Sequence, residues 1–145
     1  EVLSAPEGWT VINDAYNASP ESMAAALRSL AELTRGRSRA IAVLGEMAEL
    51  GDWALEAHDR IGRQVVRLNI DRLLVVGERA QAIHLAAVQE GSWGGESIHV
   101  ETPDAAYDVL RGLLEPGDVV LVKSSKSAEL RFLGDRLAAH AQPPV

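Results

Sequence analysis

The chain alternates between two rhythms of apolar and polar positions. Continuous apolar runs stand at intervals: Ala40-Ile41-Ala42-Val43-Leu44, Leu73-Leu74-Val75-Val76 and Val119-Val120-Leu121-Val122. Runs of that length, rich in Val, Ile and Leu, are what strands covered on both faces look like. Between them apolar residues recur at helical spacing. One stripe holds Met23, Leu27, Leu30 and Leu33, and another Ile61, Val65 and Leu68. A third holds Val109, Leu110 and Leu113, and the last Leu130, Leu133 and Leu137. Each stripe would turn one side of a helix toward a core. A further helix is expected around residues 80–89, and the last over about 128–139.

Punctuation supports the same division. Ser19-Pro20-Glu21 and Thr102-Pro103-Asp104 each place a capping hydroxyl before a proline and an acid, a helix start. Pro6 and Gly8 supply a turn between Val2-Leu3 and Trp9-Thr10-Val11-Ile12, which reads as a hairpin. Ser97-Ile98-His99-Val100 is a short strand expected at an edge, and residues 142–145 read as a tail. A hairpin followed by regular strand–helix alternation predicts an α/β fold. The expectation is a Rossmann-like, doubly wound, mostly parallel sheet of about six strands, with one antiparallel edge strand and helices on both faces. Residues 1–145 read as one domain, with no internal repeat.

Composition narrows the function classes. Hydrophobic residues are 47% of the chain and aromatics only 4%, so the core must be built from Ala, Val, Leu and Ile. The net charge of −7 argues against a general nucleic-acid binder, which needs positive surface to displace counterions. There is no cysteine, which removes disulfides, thiolate catalysis and cysteine metal sites. No run of about 18 apolar residues is present to cross a membrane. The chain opens on Glu1-Val2-Leu3, already strand-like and without Met, and is expected to be a piece of a longer protein.

In such a sheet, ligands gather beyond the C-terminal ends of the strands. Three segments there are richer in polar groups than a connection requires. Residues 13–20 bring Asp14, Tyr16 and Asn17 to a helix start. A carboxylate can hold a ribose diol and a carboxamide can meet a base edge, but the same residues also suit a turn and a cap. Residues 45–52 carry Glu46 and Glu49, whose paired acids could hold a cation or an ammonium, or simply be solvated. His58 follows on a helix, where a lone histidine is more often a structural hydrogen-bonder than a catalyst. Lys123, Ser124, Ser125 and Lys126 lie between a strand and a helix start, a setting that favours a phosphate or carboxylate. The alternative is a capped turn with solvated lysines. The segment is not a Walker A loop, and no Gly-x-Gly-x-x-Gly follows the first strand. His84, His99 and His140 show no ligand-like spacing, and Trp9, Trp53 and Trp93 are scattered.

Taken together, the three segments resemble the C-terminal domain of the Mur ligase family, in its D-alanyl-D-alanine-adding branch. The matching stretches are Asn-Asp-Ala-Tyr-Asn-Ala-Ser-Pro-Glu-Ser-Met at 13–23, Val-Leu-Gly-Glu-Met-Ala-Glu-Leu-Gly at 43–51 with His58 and Gly62 beyond it, and Val-Leu-Val-Lys-Ser-Ser-Lys-Ser at 120–127. The second is the most specific, since sister ligases differ there. Ser19 stands where the family has Asn, Ser124 where it has Gly or Ala, and Lys126 where it has Arg, which grips a carboxylate in two-pronged fashion.

The resemblance implies a three-domain, cytoplasmic and monomeric enzyme. Its N-terminal domain holds the UDP-sugar, its central domain the ATP P-loop and the Mg²⁺ ligands. The present domain closes over both, binds no metal, and is inactive alone. ATP phosphorylates the carboxylate of UDP-N-acetylmuramoyl-tripeptide, and the amine of D-Ala-D-Ala attacks the acyl phosphate. Asp14, Tyr16 and Asn17 would serve the nucleotide and Lys123, Ser124, Ser125 and Lys126 the dipeptide, with Glu46, Glu49 and His58 contributing from the loop. Two rival readings are the C-terminal domain of another ATP-dependent amide ligase, of the folylpolyglutamate synthase kind, and a non-enzymatic nucleotide-binding domain.

Overall fold

The computed structural model describes residues 1–139; His140 and the expected tail at 142–145 lie outside the described residues. Six strands form one sheet: β1 (Val2–Ser4), β2 (Thr10–Asp14), β3 (Ala40–Leu44), β4 (Arg72–Val76), β5 (Glu96–Val100) and β6 (Val119–Lys123). Their order across it is β1-β2-β6-β3-β4-β5. β1 runs antiparallel to β2 at one edge, and every other pairing is parallel. The short strand β5 closes the other edge, as its sequence led us to expect.

The helices are α1 (Pro20–Thr34), α2 (Ala54–Arg67), α3 (Gln81–Glu90), α4 (Pro103–Leu113) and α5 (Leu130–Ala138). Alternation along each strand divides its side chains between two cores. Ala42, Leu44, Leu73, Val75 and Leu121 meet Leu27, Ile61, Val65 and Ile83 of α1, α2 and α3. Ile41, Val43, Leu74, Val120 and Val122 meet Leu110, Leu133 and Leu137 of α4 and α5. A sheet buried on both faces needs strands that are apolar at consecutive positions, and all five residues of β3 and of β6 are buried.

The capping signals act as their chemistry requires. Ser19 Oγ accepts from the backbone of Ser22, whose own hydroxyl accepts from the Ser19 backbone, a reciprocal box ahead of Pro20. Thr102 Oγ1 caps α4 by accepting from Ala105 N–H.

Two expectations about the helices are corrected. Leu33 is not on the inner stripe of α1 but half exposed; the inward slot goes to Thr34. Thr34 can be buried there because its hydroxyl donates back to Leu30 O at 2.8 Å. Leu68 stands at the C-cap of α2 and packs, partly buried, against the same core as Ile61 and Val65. The last helix starts at Leu130, not near Ala128, because Glu129 adopts a left-handed conformation (φ 58) between it and a 3₁₀ turn at Lys126–Ala128.

From the C-terminal ends of the adjacent strands β3 and β6 the chain leaves toward opposite faces, to α2 and to α5. Such a divergence opens a crevice, and the connection after β2 lies alongside.

Candidate functional site

The three polar segments singled out in the sequence converge at this crevice. A cleft of about 690 Å³ is lined by residues of all three connections, among them Tyr16, Asn17, Ser19, Glu49, Ser125 and Lys126.

Beneath the cleft lies a layer of polar groups that bond to one another. The β2–β6 register sets Asp14 beside Lys123. Lys123 Nζ donates to Asp14 Oδ2 at 2.6 Å and to Asn17 O at 3.1 Å. The lysine side chain is 3% exposed and that of Asp14 47%. A buried ammonium is tolerated when charge and hydrogen-bond partners replace water, and here both are supplied. Lys123 therefore does not line the cleft, which corrects its expected place beside Lys126 as a carboxylate grip. It orders the segment that carries Asp14 and Asn17 instead.

Ser124 is likewise internal. It is fully buried, and its hydroxyl donates to Ser125 O at 2.9 Å. Gly45 lies against it, where an added Cβ would come within 2.8 Å of Ser124 Cβ. Ser125 ties the second and third segments together. Its N–H donates to Glu46 O at 2.8 Å, and its Oγ accepts from Ala48 N–H at 2.7 Å.

His58 secures the same loop from below. Its Nε2 accepts from Met47 N–H at 2.9 Å, and Nδ1 lies 2.6 Å from Ala54 O. An N–H donor on one side and a carbonyl on the other require the neutral tautomer protonated at Nδ1. The histidine is a buried clamp on the loop, in keeping with the bland reading of its sequence context.

The two acids of the loop part company. Glu46 faces a separate pocket of about 230 Å³ and lies 4.0 Å from Arg79. Glu49, in a left-handed conformation (φ 62), lines the main cleft. Tyr16, Asn17 and Lys126 are exposed at the same cleft.

One residue of the arrangement was not singled out from sequence. Asn13, fully buried, donates from Nδ2 to Arg131 O at 2.9 Å and to Asp135 Oδ1 at 3.0 Å, pinning α5 to the end of β2. Gly134 makes room for it, since a Cβ there would sit 2.4 Å from Asn13 Cγ. The available signal was a carboxamide two positions after Val11 on β2, the spacing that returns a strand residue to the same buried face.

Among the described residues, no three carboxylates or imidazoles gather in a way that could hold a metal ion, and no helix is long and apolar enough to cross a membrane.

Known proteins resemble this chain in sequence and fold. Residues 1–126 match the family described as the glutamate ligase domain of Mur ligases. The UDP-N-acetylmuramoyl-tripeptide–D-alanyl-D-alanine ligase of Mycobacterium leprae is 47% identical over 94% of this chain, which covers 29% of that protein. Two solved structures have the same fold. A MurF from Acinetobacter baumannii superposes with a TM-score of 0.78 and 26% identity, over 95% of this chain and 30% of that one. The MurF ligase of Thermotoga maritima, in complex with ADP, gives 0.74 and 25% over 94% and 30%. The chain belongs to the Mur ligase family, as its C-terminal, glutamate ligase domain. It spans about 30% of the length of the relatives it matches.

Proposed function

We propose that this chain is the C-terminal domain of an ATP-dependent ligase that joins D-Ala-D-Ala to UDP-N-acetylmuramoyl-tripeptide in peptidoglycan precursor synthesis. The observation that carries the reading is the convergence of the three family-like segments on one cleft at the diverging strand ends. The relatives and their names support it, and the ADP complex of the Thermotoga enzyme supports a nucleotide at this kind of ligase.

In this reading the work is divided. The rest of the polypeptide holds the UDP-sugar, the ATP phosphates and Mg²⁺, which supplies charge neutralisation during phosphoryl transfer. The present domain contributes polar groups when it meets them. Asp14 keeps Oδ2 on Lys123, leaving Oδ1 for a ribose hydroxyl. Tyr16 and Asn17 offer an aromatic face and a carboxamide beside it. Lys126 faces the cleft with the charge required by a dipeptide carboxylate. The full enzyme is taken to be a cytoplasmic monomer.

The test uses the full-length ligase. Asp14→Ala should raise the KM for ATP more than that for D-Ala-D-Ala, while Lys126→Ala does the reverse. Loss of one charge-assisted hydrogen bond corresponds to roughly one to two decades in affinity. A Lys126→Ala defect confined to ATP would move that residue to the nucleotide side. Unchanged kinetics in both variants would defeat the reading of the cleft.

A further inference from the structure

Two side chains of the cleft have no partner among the described residues. Neither the Glu49 carboxylate nor the Lys126 ammonium makes a hydrogen bond or ion pair with another described residue. Among the described residues that line the cleft, Glu49 is the only acid and Lys126 the only cation. The cleft thus presents one charge of each sign, each unpaired with any described residue.

The position of Glu49 is built. Ala48, just before it, is anchored through its N–H to Ser125, and Met47 is anchored to His58. Glu49 itself holds a left-handed backbone conformation, which L-residues seldom adopt. An outlier of this kind held by a braced loop is a motive for a functional hypothesis. The neighbouring acid Glu46 shows the contrast, because it turns away toward Arg79.

A zwitterion matches such a pair of charges. A free dipeptide carries an ammonium and a carboxylate, and two extended residues reach roughly 7 Å. We propose that Glu49 recognises the ammonium end of the incoming dipeptide while Lys126 takes its carboxylate. This rests on the dipeptide reading of the cleft and adds the group that selects for a free amine. Glu49 acts as a specificity-determining residue: it favours a substrate whose nucleophile is unblocked and holds that nitrogen at one end of the cleft. A primary ammonium could also come from a diamino acid on the acceptor peptide, and the experiment separates the two sources.

The full-length ligase is assayed with Glu49→Gln, Glu49→Asp and Lys126→Ala, measuring KM for D-Ala-D-Ala, ATP and UDP-N-acetylmuramoyl-tripeptide. N-acetyl-D-Ala-D-Ala, which lacks the ammonium, serves as a competitive inhibitor. Glu49→Gln should raise the dipeptide KM about tenfold and leave the other two unchanged. Glu49→Asp should recover part of the loss. The inhibitor should bind Glu49→Gln and the parent equally. The proposal is overturned if only the UDP-tripeptide KM rises, if no KM moves, or if the inhibitor weakens with Glu49→Gln as much as the dipeptide does. If Glu49→Gln behaves as expected and Lys126→Ala leaves the dipeptide unaffected, the carboxylate assignment fails and the ammonium assignment stands. The reverse pattern overturns this inference alone.

Discussion

The cleft has two layers that share residue types and differ in almost everything else. The inner layer contains Asn13, Lys123, Ser124 and His58, all buried, and each bonded within the protein. The outer layer contains Tyr16, Asn17, Glu49 and Lys126, all exposed. Lys123 and Lys126 are three positions apart in sequence, yet one is an internal strut and the other a free charge. The difference teaches that polar groups near a site divide between holding its walls and meeting its ligand. Buried groups with protein partners govern stability, because removing a partner strands the other in a place without water. Exposed groups, held only by water, govern binding.

Substitutions can break that division or sharpen it. The largest effect is expected from Gly134→Ala. The new methyl would collide with Asn13 and push α5 from β2, for a loss of about 3 kcal/mol. Thermal melting of the domain should show this as a fall in Tm of about 10 °C. His58→Leu comes next. It keeps an apolar body of similar bulk but strands the buried Met47 N–H, at a cost of about 2 kcal/mol, readable as a lower denaturant midpoint. If His58→Leu were neutral, water would be reaching the loop and the inner layer would not be sealed. Lys126→Ala should be smallest, within ~0.5 kcal/mol of the parent by the same melt. A large destabilisation there would assign Lys126 to the inner layer.

Much of the fold was legible because its signals are local. Five consecutive apolar residues at Ala40–Leu44 can only be a doubly covered strand or a buried helix segment, and the strong caps at Ser19 and Thr102 fix the alternation around them. The stripe through Met23, Leu27 and Leu30 was equally plain, but its next member was not Leu33. Hydrophobicity favoured the leucine, while helix geometry favoured position 34, where a threonine could satisfy its own hydroxyl. The candidate site was legible as three segments and illegible in its layering. Nothing in residues 123–126 says that the first lysine is paired, since its partner Asp14 is 109 positions away and is brought beside it by strand register. Likewise the two acids at 46 and 49 look equivalent in sequence, yet in the fold they line different pockets.

The burial of Lys123 also decides how the site responds to its solution. At about 0.1 M salt, charges in water are screened over roughly 10 Å, and at about 1 M over roughly 3 Å. Glu49 and Lys126 stand in that solvent, so their pull on an approaching charged ligand fades as salt is added. The Lys123–Asp14 contact has one partner almost wholly shielded from the electrolyte and a bond of 2.6 Å. High salt should therefore weaken capture while leaving the shape of the cleft intact, so that a ligand arriving more slowly still finds the same walls.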